Sequence, residues 1–309
     1  MCSEHVTVLL KETVDALEVK PAGVYVDMTL GRGGHSSLIL SRLSFEGKLI
    51  GIDQDAEAIV KTKARLEKHG KKAYLFQTNF VNFEDCLNTM EIEEVDGFVF
   101  DLGVSSPQFD EGDRGFSYRM DARLDMRMDK NNPLDAYRVV NDYSIKELTR
   151  VFRDYGEEKF AFQIAKNIVK AREVKPIETT FDLVEIIKKS LPPKVLEKKG
   201  HPAKQVFQAI RIEVNDELNV LENTLKRAIN RLKIGGRCAV ISFHSLEDKI
   251  VKDIFKSNSF IEGDRLNFDT LKEVKYRLVN KKVIIPSEEE LEANPRSKSA
   301  KLRVIERIK

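Results

Sequence analysis

The sequence predicts an α/β fold, a Rossmann-like core with an all-helical domain inserted into it. Three observations carry that prediction. Strand-like and helix-like segments alternate through the first hundred residues at the rhythm of βαβ units, the pattern of a mainly parallel sheet covered by helices. A glycine-rich turn, Gly31-Arg32-Gly33-Gly34, stands directly between a strand and a helix. After Leu102 the rhythm lapses, and the next convincing strand is Arg237 to Phe243.

In order along the chain, Val24 to Met28 reads as a strand, Ser36 to Leu43 as a helix and Lys48 to Asp53 as a second strand. A helix over Ala56 to Lys68 follows, with apolar positions at Ile59, Ala64 and Leu66, and then strands over Ala73 to Gln77 and Gly97 to Leu102. Ser105 to about Pro133 is a polar, glycine-containing loop. Ser144 with Glu147 makes a capping box for a helix through Phe152. Phe160, Ile164 and Ile168 recur at helical spacing, as do Phe181, Val184 and Ile187. Leu191 to Pro202 reads as an exposed loop closing the insertion. Glu213 to Leu232 reads as one long helix stopped at Gly235-Gly236, which feed the fifth strand, and Leu302 to Ile308 alternates as a last strand. The expected division is a core of residues 1–110 and 211–309 around an inserted loop and helical substrate-recognition domain, 111–210.

At 309 residues, 41% hydrophobic and 33% charged, the composition is that of an ordinary globular protein. No apolar run approaches the roughly 20 residues of a membrane-spanning helix. The first residues lack the basic and apolar regions of a secretory signal, so a cytoplasmic location with no membrane partner is expected. Cys2, Cys86 and Cys238 are odd in number and show no CxxC spacing, which suggests neither a disulfide framework nor a metal site. Net charge is only +2. Basic residues collect locally: 15 Lys plus Arg against 11 Asp plus Glu from Leu134 to Ile210, and six against one from Asn294 to Lys309. That excess suits a phosphate-rich partner as well as it suits a solvated helix surface.

The strongest chemical signal is Val26-Asp27-Met28-Thr29-Leu30-Gly31-Arg32-Gly33-Gly34-His35-Ser36. Its glycines allow a tight turn and close backbone approach to a nucleotide cofactor. Asp53, ending the second strand, is placed to accept both hydroxyls of a ribose. A dinucleotide fingerprint wants a third glycine where Ser36 stands. Asp27, just before the turn, would repel a pyrophosphate but suits a cationic amino acid. S-adenosylmethionine carries an ammonium and a sulfonium and no phosphate, and is the expected cofactor; a plain turn-capping role for Asp27 is compatible with this.

Taken together, the segments resemble the MraW family of bacterial methyltransferases, which modify N4 of a cytidine in small-subunit (16S) ribosomal RNA. The segments are His5 to Leu10, Gly31 to His35, Phe100 to Gln108, Leu124 to Asp129, Gly200 to Lys204, Arg211 to Leu218, Ser242 to Asp248 and Pro295 to Arg303. The resemblance spans nearly the whole chain. It implies a class I S-adenosylmethionine-dependent methyltransferase core, with cofactor contacts at Gly33, Gly34, His35, Asp53, Phe80, Asp101 and Gln108. It implies as partner the small-subunit ribosomal RNA or the assembling small ribosomal subunit, and admits a homodimer. Phe80 is placed either to pack on an adenine ring or to join the core. Thr29 stands where the wider class has a glycine, which predicts an altered turn without loss of the site.

Methylation at C5 of a pyrimidine needs a cysteine nucleophile, and the loop after the fourth strand reads Ser105-Ser106-Pro107-Gln108 with none. An exocyclic amine needs no covalent intermediate, only an acceptor that holds it for in-line attack. Asp101 is the first candidate for that role and Ser105 the second. Phe109, Phe116 and Tyr118 follow in the loop and are candidates to stack on an extruded base, although each alone reads as a packing residue. His244, beyond the fifth strand, and Arg211 with Asn215, one helical turn apart, are further candidates for substrate contact. Lys188, Lys189, Lys194, Lys198, Lys199, Lys204, Arg296, Lys298, Lys301 and Arg303 are candidate phosphate contacts. Three alternatives stand beside this reading: an amino-methyltransferase of DNA or another RNA, a nicotinamide-dependent oxidoreductase, and an inactive RNA-binding assembly factor. Ser36 and Asp27 disfavour the second; the intact turn with Asp53 and Asp101 disfavours the third.

Overall fold

The computed structural model describes residues 7–70, 72–103, 114–197, 200–259 and 274–309. The chain divides into two compact units, Met1–Gly103 with Leu218–Lys309, and Val104–Glu217. In chain order the elements are α1 (Leu10–Ala16), β1 (Val24–Asp27), α2 (Gly34–Arg42), β2 (Lys48–Asp53), α3 (Ala56–Glu67), β3 (Ala73–Gln77), α4 (Phe83–Thr89) and β4 (Val95–Asp101). The helical unit supplies α5 (Ala136–Asp142), α6 (Ile145–Asp154), α7 (Ala161–Arg172), α8 (Thr180–Ser190), α9 (Pro193–Leu196) and α10 (Lys204–Asn215). Then come α11 (Glu217–Asn230), β5 (Leu232–Ser242), α12 (Ser245–Ser259), β6 (Tyr276–Leu278), α13 (Glu288–Ala293) and β7 (Lys301–Arg307).

The first unit is a seven-stranded sheet in the order β3-β2-β1-β4-β5-β7-β6. Strands β1 to β5 pair in parallel, while β7 runs antiparallel to both β5 and β6. Because side chains alternate along a strand, each strand feeds two cores. Val26, Phe98, Phe100, Cys238 and Val240 pack with Leu221, Leu225 and Ile229 of α11. Tyr25, Val99, Ala239 and Ile241 pack on the other face with Val14 of α1 and Ile39 and Leu40 of α2. Chain order reverses between β1 and β4, so the crevice at their carboxyl ends is where an open α/β sheet receives a ligand. Asp27, Asp53 and Asp101 each close a strand there. Cys86 and Cys238 are buried free thiols, as expected of small apolar fillers. No helix among the described residues is long and apolar enough to cross a membrane.

The helical unit has its own core, built on Leu148, Phe152, Ile164, Ile168, Leu183, Ile187, Phe207 and Ile210. The predicted capping box opens α6: Ser144 accepts from the Glu147 N–H and Glu147 accepts from the Ser144 N–H. Thr179 and Asp182 make a second at α8. The expected loop from Leu191 to Pro202 contains the short helix α9, started by Pro193 in the first turn, where a missing N–H costs nothing. The single helix predicted from Glu213 to Leu232 is instead two. Asp216 adopts a left-handed conformation with φ 49°, which breaks α10 from α11. Gly235 and Gly236 do not stop a helix; they lie inside β5, where Gly235 has φ 75°. Leu232 pairs with Val95 but Arg237 pairs with Gly97, so the glycines absorb a bulge in the β4–β5 register.

Candidate active site

The turn from β1 to α2 is built around Asp27. Its Oδ2 accepts the Ser36 hydroxyl at 2.6 Å and its Oδ1 accepts the Thr29 N–H at 3.2 Å. Both oxygens therefore face into their own loop, so Asp27 is the staple of the turn and Ser36 is its partner in the first turn of α2. Burial raises the Asp27 carboxyl to about 6, with the hydrogen bonds from Ser36 and Thr29 opposing the rise and the Asp53 carboxylate adding to it.

Gly31 donates its N–H to Asp53 Oδ2 at 2.8 Å, and Thr62 donates its hydroxyl to the Gly31 carbonyl at 2.7 Å. Asp53 Oδ1 accepts the Asp55 N–H at 2.9 Å. Gly33 has φ 71°, and a Cβ there would meet Thr62 Cγ2 at 2.4 Å; a Cβ on Gly34 would meet Thr7 Oγ1 at 1.8 Å. These two glycines thus admit close protein neighbours, while Gly31 (φ 48°) has space beside it, a Cβ there meeting among the described residues just the Thr29 carbonyl, at 3.7 Å.

Thr29, in place of the expected glycine, has a structural use. Its hydroxyl oxygen accepts the Asp101 N–H at 2.7 Å and so ties the turn to the end of β4. Asp101 Oδ1 is buried and has no hydrogen-bond partner among the described residues, while about a quarter (26%) of the side chain remains exposed. Desolvation, then the nearby carboxylates of Asp27 and Glu247, push its carboxyl up to about 8. His35 is buried, with Nε2 facing the Val8 carbonyl at 3.2 Å and Nδ1 facing Asp101 Oδ2 at 3.8 Å. Desolvation keeps its ring neutral down to about pH 4. Phe80 opens a 3₁₀ turn after β3 and packs edge-on against Phe100, with ring centroids 5.9 Å apart and planes at 82°, leaving it half-buried at the sheet end.

Of the remaining expected site residues, Ser105, Gln108 and Phe109 lie outside the described residues. Phe116 is buried in the core of the helical unit. His244 sits in the cap of α12: Glu247 Oε2 accepts the N–H groups of Phe243 (2.7 Å) and His244 (3.2 Å), and Glu247 Oε1 lies 3.1 Å from His244 Nε2. The guanidinium fork of Arg211 is held by both oxygens of Glu217 at 2.8 Å. Asn215 accepts the Met128 N–H at 2.8 Å and donates to the Met126 carbonyl at 2.9 Å. Arg211 and Asn215 therefore brace the helix break and the Leu124–Asp129 segment. Among the expected phosphate contacts, Lys301 and Arg303 grip Asp248 at 3.2 and 2.7 Å, and Lys198 and Lys199 lie outside the described residues.

Sequence reasoning missed Thr7, Val8 and Thr62, the neighbours that fix Gly34, His35 and Gly33. The signal available for two of them was the segment His5 to Leu10, singled out by resemblance and without an assigned role.

The arrangement fits a cationic nucleoside cofactor. Asp53, at the end of β2, could accept ribose hydroxyls besides the Gly31 and Asp55 N–H groups, and Asp101 at the end of β4 has a buried oxygen without a partner among the described residues. The order of the sheet, its antiparallel seventh strand and this acidic, glycine-turned crevice define a methyltransferase of the S-adenosylmethionine-dependent class. The chain belongs to the MraW methylase family, whose model matches residues 2–308. That family methylates N4 of a cytosine in ribosomal RNA, with S-adenosylmethionine as the donor. Similar solved structures include a Clostridium thermocellum protein assigned as an rRNA-methylase, with 12% identity, TM-score 0.47, and 98% of this chain and 100% of that chain covered. An rRNA methylase from Streptococcus thermophilus gives 13%, 0.45, and 99% of each chain. A SAM-dependent O-methyltransferase from Thermotoga maritima gives 9%, 0.43, and 100% of this chain and 69% of that chain.

Proposed function

We propose that the RNA substrate is that of the small ribosomal subunit, free or in the assembling particle, and that the chain methylates N4 of one cytidine of 16S ribosomal RNA in the cytoplasm. Gly33, Gly34, His35, Asp53, Phe80, Asp101 and Gln108 form the cofactor site in this reading, and the helical unit recognises the substrate. The unpartnered buried oxygen of Asp101 carries the reading of the catalytic site. S-adenosylmethionine, when bound, supplies a methyl group activated on a sulfonium.

The N4 amine of cytosine is a poor nucleophile while its lone pair is conjugated with the ring. A carboxylate that accepts a hydrogen bond from the amine favours the pyramidal form and orients its lone pair. Asp101, raised to about 8, is basic enough to take the proton that the amine loses on methylation, and Ser105 is the second candidate to hold the amine. Neutral His35, with Nε2–H committed to Val8, offers no proton toward Asp101 Oδ2, the oxygen that its Nδ1 faces. Self-association into a homodimer belongs to the same proposal and is checked by sedimentation.

The test is to incubate the protein with methyl-labelled S-adenosylmethionine and small subunits that lack the modification, then identify labelled nucleosides by mass spectrometry. N4-methylcytidine in the small-subunit RNA, lost in Asp101→Ala, is the expected result. Unlabelled subunits with intact cofactor binding would overturn the assigned target.

A further inference from the structure

We propose that the helical unit carries a nucleotide-stacking site of its own, a cleft of about 370 Å³ in which Tyr118, Phe181 and His201 receive an unpaired RNA base and Arg119 and Lys188 meet its phosphate. The inference rests on RNA being the substrate but assigns a contact made by residues of the helical unit alone.

Tyr118 and His201 are stacked, with ring centroids 4.3 Å apart and planes at 14°. Phe207 closes on Tyr118 edge-on at 5.8 Å and 89°, which fixes the orientation of the stack from below. The opposite wall is α8. Thr180 donates its hydroxyl to the Met120 carbonyl at 2.7 Å and Arg123 bridges to Thr179, so the Tyr118 segment and the start of α8 are pinned together. Phe181, the next residue, is nonetheless 44% exposed, and Met120 beside it is 42% exposed. Large apolar side chains held in the open by a rigid frame mark a binding surface.

The charges select the ligand. Arg119 is exposed, lies over the Tyr118 ring at 5.9 Å, and has no carboxylate partner among the described residues. Lys188 pairs with Glu185 at 2.9 Å, but both are well exposed, and such a surface pair contributes little and gives way to a phosphate. Burial and the neighbouring Lys188 and Arg119 lower the pKa of His201, so it stacks as a neutral ring. Flat faces beside two cations suit a splayed nucleotide, whose base has a π-face and whose backbone is anionic, better than an apolar peptide.

The test uses the full chain with a short single-stranded RNA carrying 2-aminopurine, and in parallel the small subunits that lack the modification. Phe181→Ala should weaken binding of the RNA by about tenfold and abolish the fluorescence quenching that reports stacking. Arg119→Glu with Lys188→Glu should lower the salt dependence of binding by about 1 to 1.5 in log–log slope. Both should raise KM for the subunit and leave kcat and S-adenosylmethionine affinity unchanged. Arg119→Glu alone, on an exposed side chain, carries the test if Phe181→Ala lowers stability. Wild-type RNA affinity, quenching and KM in these variants would overturn the proposal even where N4 methylation is confirmed. If the wild-type chain methylates no subunit while the variants still lose the oligonucleotide, the stacking site stands and the assigned target falls.

Discussion

Asp101 Oδ2 lies 3.8 Å from Nδ1 of His35, beyond hydrogen-bond reach. The His35 ring donates Nε2–H to the Val8 carbonyl, so Nδ1 presents a lone pair to the carboxyl group. An ionised Asp101 at that position meets a lone pair, a desolvated surround and the carboxylates of Asp27 and Glu247. Each of these disfavours the charge, and all act on the residue proposed to accept a proton from substrate.

Methyl transfer should therefore depend on pH. With the Asp101 carboxyl raised to about 8, most of the free enzyme carries the proton at pH 7 and is unable to act as a base. The expected kcat/KM rises with pH and levels off above about 8. Asp101→Asn should be slower by roughly 10²- to 10⁴-fold and lose the pH dependence. A wild-type profile that is flat from pH 6 to 9 in single-turnover assays would remove Asp101 as the base.

The same shift has a consequence for stability with the opposite benefit. Asp101 has a folded-state pKa above its unfolded value, so the folded chain retains a proton that the unfolded chain releases. Its contribution is fully present below about pH 4 and is lost as pH rises through about 8. Asp101→Asn should be more stable than wild type at pH 9, by roughly 1–2 kcal/mol, and the gain should vanish near pH 4. Urea denaturation of the cofactor-free protein at the two pH values measures this; a variant less stable at pH 9 contradicts it.

Gly33 allows a steric prediction. An alanine there adopts φ 71° at a cost of about 1 kcal/mol and drives its Cβ to 2.4 Å from Thr62 Cγ2. Gly33→Ala should lose roughly 2–4 kcal/mol in total, since overpacking adds its own penalty. Thr62→Ser removes the methyl and keeps the hydroxyl bond to the Gly31 carbonyl. The double variant should recover the packing part and retain the backbone part, read as a coupling energy in a double-mutant cycle. Strict additivity of the two substitutions would show that Thr62 is not the obstacle.

The parallel strands were legible because each is a short apolar run bounded by a turn: Lys48–Asp53 and Ala73–Gln77 form as read. So was the capping box at Ser144, which is a local signal. What the sequence hid is set by tertiary contacts. The break at Asp216 has no proline or glycine to announce it; it depends on Arg211 and Glu217 gripping each other across the turn. Gly235-Gly236 has the form of a helix stop, but the register between β4 and β5 decides its place. At the candidate site the strand-end carboxylates could be placed from pattern. The inward turn of Asp27, and the bond from the Asp101 backbone to Thr29, depend on distances that no spacing rule contains.

The Arg211–Glu217 pair separates a bracing role from substrate contact. Both side chains are largely buried, at 13% and 12% exposure, and they meet through two parallel hydrogen bonds of 2.8 Å. Removing Arg211 leaves the Glu217 carboxylate desolvated and without its guanidinium partner, which costs roughly 3–5 kcal/mol for a buried pair. Arg211→Ala should therefore lower stability strongly, and Arg211→Ala with Glu217→Ala should recover much of the loss because neither charge is then stranded. Arg211→Lys keeps the charge but not the planar fork, and should fall between them. Each variant is melted in denaturant and assayed with subunits at saturating S-adenosylmethionine. If Arg211 braces the α10–α11 break, stability changes first and the double variant regains activity as it regains stability. If instead Arg211 touches RNA, Arg211→Ala raises KM with little loss of stability, and Glu217→Ala does nothing to restore it.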